Sequence, residues 1–517
     1  MKKLLFIILV AFLVVGVMST VFAAETTFEG AYRVRSVTEW NFDKEVNDLN
    51  APGLPSHEDG LYTGFFDQRF RLTITHTRSE YLRAVVRLDI AEDTWGQGRP
   101  FRINANNADY IDRAYIEFTV PPVGTFTVGR FFEGYGNLFT FDTAGDGIRW
   151  TNAWGPVAVS LSYFKVSDRV TAGPANWEYN WDADVVGLDI MVTPIEGHVL
   201  EVYGGVLWDE DASGSSGLGG VLGNSRTIIS PLAEYDAWVG FVGVGYTGTF
   251  ADMIDVNVEA SWLFGEASGH YTQGMAFDPF TGIPVFIQNA RKDLDISGWN
   301  VYADVSYYND LFRVGAAFMM GSGQKHWWLN PTLPANFISI DHVNMNFITN
   351  DDGGFAFAHI ITGGHNDGLN SVWGAGLFGA NSMENITAVK GYFEVCPMDK
   401  LTISGAVIWA KWTEEIGINA AGVGTRAALF APDSPGYFHP MIYYGGENYR
   451  YNSWEVSDDL GWEIDLALSY EIMEGLTYTF EGAVLFTGDS FDYEKADGTR
   501  GEWGEIWSIF NTLEYEF

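Results

Sequence analysis

The stretch Ile254-Asp-Val-Asn-Val-Glu-Ala-Ser-Trp-Leu-Phe264 decides the fold class, because apolar and polar side chains alternate along it as far as Trp262. Successive side chains of a β-strand point to opposite faces. One face then holds Ile254, Val256, Val258, Ala260, Trp262 and Phe264, and the other holds Asp255, Asn257, Glu259 and Ser261. Large apolar residues opposite carboxylates are typical of a strand with lipid on one side and water on the other. The stretch predicts a transmembrane β-strand.

The same pattern recurs along the chain. In 460–470 the expected outer face is Leu460, Trp462, Ile464, Leu466, Leu468 and Tyr470, and in 476–486 it is Leu476, Tyr478, Phe480, Val484 and Phe486. Aromatic residues recur near segment ends, as the interfacial girdles of a membrane barrel do; examples are Trp208, Trp262, Tyr307, Trp409 and Tyr470. These repeats predict many similar strands.

Short and long connections alternate between the segments. The short ones carry Pro, Gly, Asn or Asp, which favour tight turns; they are 78–80, 121–124, 155–156, 194–197, 251–255, 309–310, 397–400 and 473–475. The long ones include 209–232, 266–292, 322–384 and 413–458. A sandwich or propeller does not explain this alternation. We expect an all-β, antiparallel transmembrane barrel of about 18 strands, with 16 as the alternative, long extracellular loops and both termini on the short-turn side.

The N-terminus predicts export. Lys2 and Lys3 precede an apolar run, and Val21-Phe-Ala23 resembles a cleavage site, so 1–23 is interpreted as a signal peptide and 24–517 as the barrel. A retained anchor helix is the alternative. Beyond this run we find no stretch of about 18 apolar residues, the length that a spanning helix needs. The expected location is the bacterial outer membrane.

Charge and cysteine content exclude other classes. Without Lys2 and Lys3 the chain has 27 basic and 67 acidic residues, a formal charge of −40. Nucleic-acid binding needs basic patches, so it is not expected. Cys396 is the only cysteine, which excludes an intramolecular disulfide.

Arginine is concentrated in the first third of the chain, where 13 of 19 precede residue 170. Strand parity turns Arg69, Arg71, Arg83, Arg87 and Arg113 away from the apolar face. An Arg that faces lipid at the bilayer midplane costs about 2–4 kcal/mol, which makes this parity strongly specified. Later inward positions are mostly acidic or neutral, so a basic wall opposite acidic groups is one interpretation, and ordinary solvated lumen residues are the other.

Two stretches carry a family resemblance. Thr125-Phe-Thr-Val-Gly-Arg-Phe-Phe132 and Asp142-Thr-Ala-Gly-Asp-Gly-Ile-Arg149 flank an aromatic, glycine-rich segment. This arrangement resembles the strand and inward-folded third loop of the Gram-negative general diffusion porins, best over about residues 60–165. The resemblance implies homotrimers and a loop that narrows the pore, its carboxylates facing an arginine ladder. Those porins typically have 16 strands, and a count of 18 agrees better with sugar-specific porins.

The resemblance also assigns roles to single residues. The arginines of the ladder would be Arg69, Arg71, Arg83, Arg87, Arg113 and Arg130, and the acidic loop residues would be Glu133, Asp142 and Asp146. Strict alternation places Arg130 with Phe126 and Val128, so a bulge near Gly129 is required to turn it inward. The terminal Phe517 resembles the signal read by the barrel assembly machinery. Outer-membrane lipid and lipopolysaccharide would surround the barrel.

The function expected is passive diffusion of small hydrophilic solutes and ions, with no catalysis, metal or cofactor. A substrate-specific channel, such as one for sugars with Tyr115, Trp327 or Trp328 as stacking surfaces, is the alternative, and a structural barrel is a third. Two patterns resemble enzyme or metal sites, but they support such a function less well than the strand pattern supports a channel. Gly243-x-Gly-x-x-Gly248 opens no predicted helix, as a dinucleotide site requires. The histidines at 326, 342, 359 and 365, with nearby aspartates, fit no metal-ligand spacing and are interpreted as loop residues.

Overall fold

The chain is described here from a computed structural model. The structure describes residues 24–40, 62–95, 111–168, 182–210, 232–271, 275–277, 284–286, 290–323, 342–344, 349–350, 355, 357–362, 383, 385–414, 457–491, 493–494, 500–501 and 504–517. Among these residues no helix is long and apolar enough to cross a membrane.

Eighteen long strands form the wall within the described residues. They are β1 (Glu25–Trp40), β2 (Tyr62–Ser79), β3 (Leu82–Thr94), β4 (Ile111–Val120), β5 (Gly124–Gly134), β6 (Phe141–Trp154), β7 (Val157–Asp168), β8 (Asp182–Ile195), β9 (His198–Glu210), β10 (Leu232–Phe250), β11 (Ile254–Tyr271), β12 (Ala290–Tyr308), β13 (Phe312–Gly321), β14 (Ile386–Met398), β15 (Leu401–Trp412), β16 (Asp459–Met473), β17 (Leu476–Thr487) and β18 (Glu505–Glu516). Very short strands lie at 275–277, 284–286, 342–344, 349–350, 493–494 and 500–501, and one 3₁₀ turn spans Asp489–Phe491.

Each wall strand pairs with its neighbour in antiparallel register, and β1 pairs with β18, from Ala31 opposite Glu516 to Trp40 opposite Trp507. The sheet is therefore a closed barrel, as predicted, with 18 strands rather than 16. All eight predicted short turns join consecutive strands. The connection predicted at 266–292 is shorter than expected, because β11 continues to Tyr271 and β12 begins at Ala290.

The outer surface carries the predicted apolar face. Trp262 is 54% exposed and its neighbour Leu263 is fully buried, so the two faces of β11 differ as the sequence indicates. Aromatic side chains expected in the girdles are also exposed on this surface, among them Trp208, Tyr307 and Tyr470. A continuous apolar exterior is what lipid tails require of a barrel wall.

Leu460 lies on the opposite face of its strand from the one predicted. It was expected outward with Trp462, but it is fully buried among inward side chains. The ladder between β15 and β16 shifts register between Ala410 and Lys411, and Gly461 has a φ of 106°. A β-bulge adds a residue and reverses parity beyond it, which turns Leu460 inward.

Two apolar clusters fill part of the barrel interior. The first surrounds Phe141 and Tyr135 and includes inward residues of β7 to β12, such as Phe164, Leu207 and Phe241. The second surrounds Phe355, Phe357, Ile360 and Ile361 and includes inward residues of β13 to β18, such as Met319, Ile408 and Leu485. One connection was expected inside the lumen; two segments from different connections lie there.

Candidate pore-lining site

The charged wall that the sequence predicts lies on β2, β3 and β4. Phe66 and Ile116 are about half exposed on the outer face, so the alternate positions of their strands point inward. Beyond Asp112 the register of β4 with β5 runs without a shift from Ala114 to Val120, so Arg113 has the inward parity of Glu117. Five predicted ladder residues therefore lie on the lumen side, namely Arg69, Arg71, Arg83, Arg87 and Arg113.

Four of these arginines, Arg71, Arg83, Arg87 and Arg113, are matched by carboxylates of the same wall. Arg71 Nε lies 2.9 Å from Asp89 Oδ2, and Arg83 Nε lies 2.8 Å from Glu117 Oε1. Asp112 bridges Arg87 and Arg113, with 3.3 Å between Arg113 Nε and Asp112 Oδ2. The register shift between Arg87 and Leu88 brings Asp112 to this position. The wall is thus a series of ion pairs and not a purely basic surface.

Three inward arginines were missing from the predicted ladder. Arg33 lies opposite Arg69 on β1, and Arg35 Nη2 bonds Asp67 Oδ2 at 3.0 Å with both side chains buried. Arg149 on β6 pairs with Glu133. Strand alternation could have identified them. Tyr32 and Val34 mark the outer face of β1, and Ile148 and Trp150 mark the outer face of β6, so the arginines between or beside them point inward.

Arg130 and Asp146 were predicted to face the lumen, and in the structure both lie on the outer face. Gly129 has a φ of 127°, but the β4–β5 register continues without a shift, so Arg130 keeps the parity of Phe126 and Val128 and faces away from the lumen. Asp146 lies opposite Arg130 and shares the face of Ile148, which is 50% exposed on the outside. Strand β6 begins at Phe141, so Asp146 belongs to the wall and not to the loop.

The other two predicted acidic residues are buried. Glu133 faces inward, where its Oε2 lies 3.2 Å from Arg149 Nη1 and its Oε1 accepts a hydrogen bond from Tyr135. Asp142 is fully buried at the start of β6, opposite Gly134. Residues 349–350 pair in parallel with Phe141 and Asp142. The assignment of Glu133 and Asp142 to a constriction stays a prediction.

The segment between β5 and β6 folds into the lumen and is fastened to the far wall. Gly136 N donates to Glu201 Oε1 on β9 at 2.9 Å, and Asn137 N donates to Glu259 Oε2 on β11 at 2.5 Å. A Cβ at Gly136 would collide with the Glu259 carboxylate, which explains the glycine. Tyr135 stacks on Tyr203 at 5.7 Å. The segment therefore lies against β9 and β11.

A cavity of about 550 Å³ lies beneath this segment. Its lining combines Glu133, Tyr135, Arg149 and Asp189 with a row of hydroxyl and amide side chains toward the short turns, namely Thr119, Thr125, Thr151, Asn152 and Ser160. One carboxylate oxygen of Asp189 is buried without a hydrogen-bond partner. Charged groups at one end and neutral polar groups at the other make this space suitable for water and small polar solutes.

Inward positions of the later strands are acidic, as expected. Among the described residues they include Asp189, Glu201, Asp255, Glu259, Asp304, Glu394, Glu463, Asp465 and Glu481, and the cations Arg313 and Lys390 stand among them. Arg313 Nη2 lies 2.8 Å from Asp255 Oδ2. The far wall therefore carries a net negative charge.

The enzyme-like patterns have structural explanations. Gly243 to Gly248 lie inside β10, so no helix follows them. His359 packs edge-on against Phe510 at 4.7 Å in the barrel interior, and the other three histidine side chains of that loop lie outside the described residues. In the described part of the chain no group of three or more His, Cys, Asp or Glu side chains is placed to hold a metal ion.

No protein-family profile and no curated protein match the sequence. Solved structures that resemble the chain differ from it widely in sequence. A BenF-like porin from Pseudomonas fluorescens Pf-5 has a TM-score of 0.47 and 9% identity over 95% of this chain and 98% of that one. Pseudomonas aeruginosa OprD has a TM-score of 0.43 and 12% identity over 95% of each chain. OmpT from Vibrio cholerae, solved in a trimer form, has a TM-score of 0.35 and 9% identity over 96% of this chain and 100% of that one.

Proposed function

We propose that the chain is an outer-membrane porin, a water-filled channel through which small hydrophilic solutes and ions diffuse passively past a charged constriction. The observation that carries this proposal is the contrast between the two faces of one closed wall. The outside is largely apolar, with few charged side chains such as Arg130 and Asp146, and the inside holds rows of paired Arg, Asp and Glu side chains beside a cavity of about 550 Å³. A barrel whose inner surface is charged is expected to be filled with water where side chains leave space.

Selectivity in this channel would come from the imbalance of its walls. The arginines of β2 to β6 are largely matched by neighbouring carboxylates, whereas the far wall is acidic with few cations. Fixed charges that line a pore select ions of the opposite sign. We therefore expect a weak preference for cations.

The cavity favours a second candidate, a channel specific for a polyhydroxylated solute such as a sugar. Hydroxyl and amide groups line its lower part, and Tyr135 and two carboxylates close its upper end. Such groups donate and accept hydrogen bonds in the pattern that sugars need. Trp327 and Trp328, named with Tyr115 as stacking surfaces, lie outside the described residues.

Export through residues 1–23, an outer-membrane location, contact with lipopolysaccharide, recognition of Phe517 and homotrimer formation all belong to this proposal. Residues 1–23 lie outside the described residues. Each of these expectations stays a prediction, to be checked by fractionation and by the mass of the detergent-solubilised protein.

Planar-bilayer recordings test the proposal. A salt gradient should give a reversal potential on the cation side, and Arg71→Gln with Arg113→Gln should move it further toward cations. Asp189→Asn should move it toward anions, because it removes an inward charge beside the cavity. Asp146→Asn is the matched control: its charge faces outward across the wall and, at ordinary salt, is screened within about 8–10 Å.

The outcomes separate the candidates. A barrel that inserts but passes no current would be a closed scaffold and would overturn the porin assignment. Swelling of proteoliposomes in sugars but not in amino acids of equal size would support the sugar channel. Swelling in both would support general diffusion.

A further inference from the structure

The connection between β13 and β14 supplies an apolar segment to the barrel interior. Phe355, Phe357, Ile360 and Ile361 are at most 6% exposed although they belong to a connection and not to a strand. They pack on inward side chains of β13 to β18 that are themselves small or apolar, including Ala317, Met319, Ala388, Ile408, Ala410, Leu485 and Ile506. A water-filled lumen does not call for an apolar inner wall, so this wall is matched to the segment.

Glu463 fastens the segment. Its carboxylate on β16 is fully buried and accepts hydrogen bonds from the backbone N–H groups of Ile360, at 2.5 Å, and Ile361, at 2.9 Å. Lys390 Nζ on β14 donates to the carbonyl of Phe357 at 2.9 Å. A buried carboxyl group is tolerated where hydrogen-bond donors meet its oxygens. Glu463 therefore acts on the segment and not on passing ions.

The two inserted segments meet inside the barrel. Phe139, from the β5–β6 segment, contacts Phe355 edge-on at 5.3 Å, and both rings contact Tyr302 on β12. Residues 349–350, from the same connection as Phe355, pair with the start of β6. At this depth the described residues fill the lumen against β7 to β18. The arginine side chains of β3, β4 and β6 stay partly accessible, Arg83 at 47%, Arg113 at 26% and Arg149 at 29%.

We infer that residues 355 and 357–362 belong to a fixed plug that closes the β13–β18 side of the lumen, that Glu463 is the residue that positions it, and that solutes pass only along the inward faces of β2 to β6. The inference rests on the proposed channel function and adds its path. The ion pairs of β2 to β6 then line the path itself, whereas the Glu463 side chain is fully buried against the plug and meets no solute.

Cysteine accessibility tests the path. In a Cys396→Ser background, Thr151→Cys places a thiol on β6 beside the cavity, and Ala388→Cys places one on β14 behind the plug, where Ala388 is fully buried. A charged methanethiosulfonate reagent added to open channels should cause a stepwise loss of current in the first variant and none in the second. Loss of current in Ala388→Cys, with Glu463 intact, would overturn the inference.

A second test removes the Glu463 carboxyl group that holds the plug. Glu463→Ala in the Ala388→Cys background should make the thiol reactive and raise single-channel conductance, and Glu463→Gln, which keeps one acceptor oxygen, should fall between the two. Unchanged conductance and an unreactive thiol in Glu463→Ala would contradict the plug. If Glu463→Ala fails to form a barrel, the comparison of Thr151→Cys with Ala388→Cys still decides the path. Absence of current in every variant, the parent included, would instead contradict the proposed channel.

Discussion

At the scale of single residues, the interior of this barrel contains many ion pairs, several of them between adjacent strands. The pair between Arg35 and Asp67 is the most enclosed, with side chains 4% and 1% exposed. Asp67 accepts from both Nε and Nη2 of the guanidinium, a bidentate arrangement. Burying either charge alone would be energetically costly, so each side chain depends on the other for its burial.

The residue-scale prediction follows from this pair. Asp67→Asn removes the carboxylate that binds a buried guanidinium in bidentate fashion, so we expect the free energy of unfolding to fall by about 3–5 kcal/mol. The midpoint of urea unfolding of the folded barrel, followed on gels without heating, measures the loss. Asp146→Asn, on the outer face, should leave the midpoint unchanged. A change of less than about 1 kcal/mol in Asp67→Asn, typical of an exposed pair, would refute the assignment.

At the scale of elements, the last strand closes the barrel through its terminal residue. Phe517 exchanges both backbone hydrogen bonds with Gly30, and its ring stacks on Tyr515 at 5.7 Å and on Phe70 at 6.3 Å. A Cβ at Gly30 would overlap this ring, so the glycine leaves room for it. The terminal aromatic group therefore packs across three strands, β18, β1 and β2.

Deleting Phe517 should lower the yield of folded barrel in the outer membrane. The deletion removes two closing hydrogen bonds and the stacked ring, together with the expected assembly signal. Phe517→Tyr is the control, because it keeps the ring and should assemble normally. The yield is read from the heat-sensitive band of membrane fractions. Normal assembly of the shortened chain would show that Phe517 is an ordinary girdle residue.

Local chemistry explains which elements could be predicted from sequence. The turns at 121–124 and 473–475 contain Pro or Gly, and β11 alternates clearly, so strand number and facing follow from short windows of sequence. Leu460 was predicted on the wrong face because a bulge reverses parity there, and Asp146 was placed in the loop because β6 begins as early as Phe141; neither feature has a strong local signal. The run Phe355-Ala-Phe-Ala-His-Ile-Ile361 signals burial within a polar connection. Its position against Glu463 depends on residues about one hundred positions away, which no window contains.

At the scale of the whole molecule, the barrel is all-β and partly filled. The two interior clusters give it a packed core in addition to its lipid-facing surface. Circular dichroism or infrared spectra of the protein in detergent should therefore show mainly β structure, and unheated protein should migrate anomalously on a gel. Boiling should abolish the shift. A substantial helical signal would contradict the architecture.

The seam between Glu25–Trp40 and Glu505–Glu516 has a consequence for how the chain reaches its final form. Its two strands come from opposite ends of the sequence, and contacts of such separation are the slowest to form. Until they meet, each presents a row of unpaired backbone donors and acceptors, which is a template for pairing with another chain. The folding intermediate most prone to misassembly is thus the nearly complete, unclosed sheet. The expected misassembled product is a dimer in which two copies exchange edge strands.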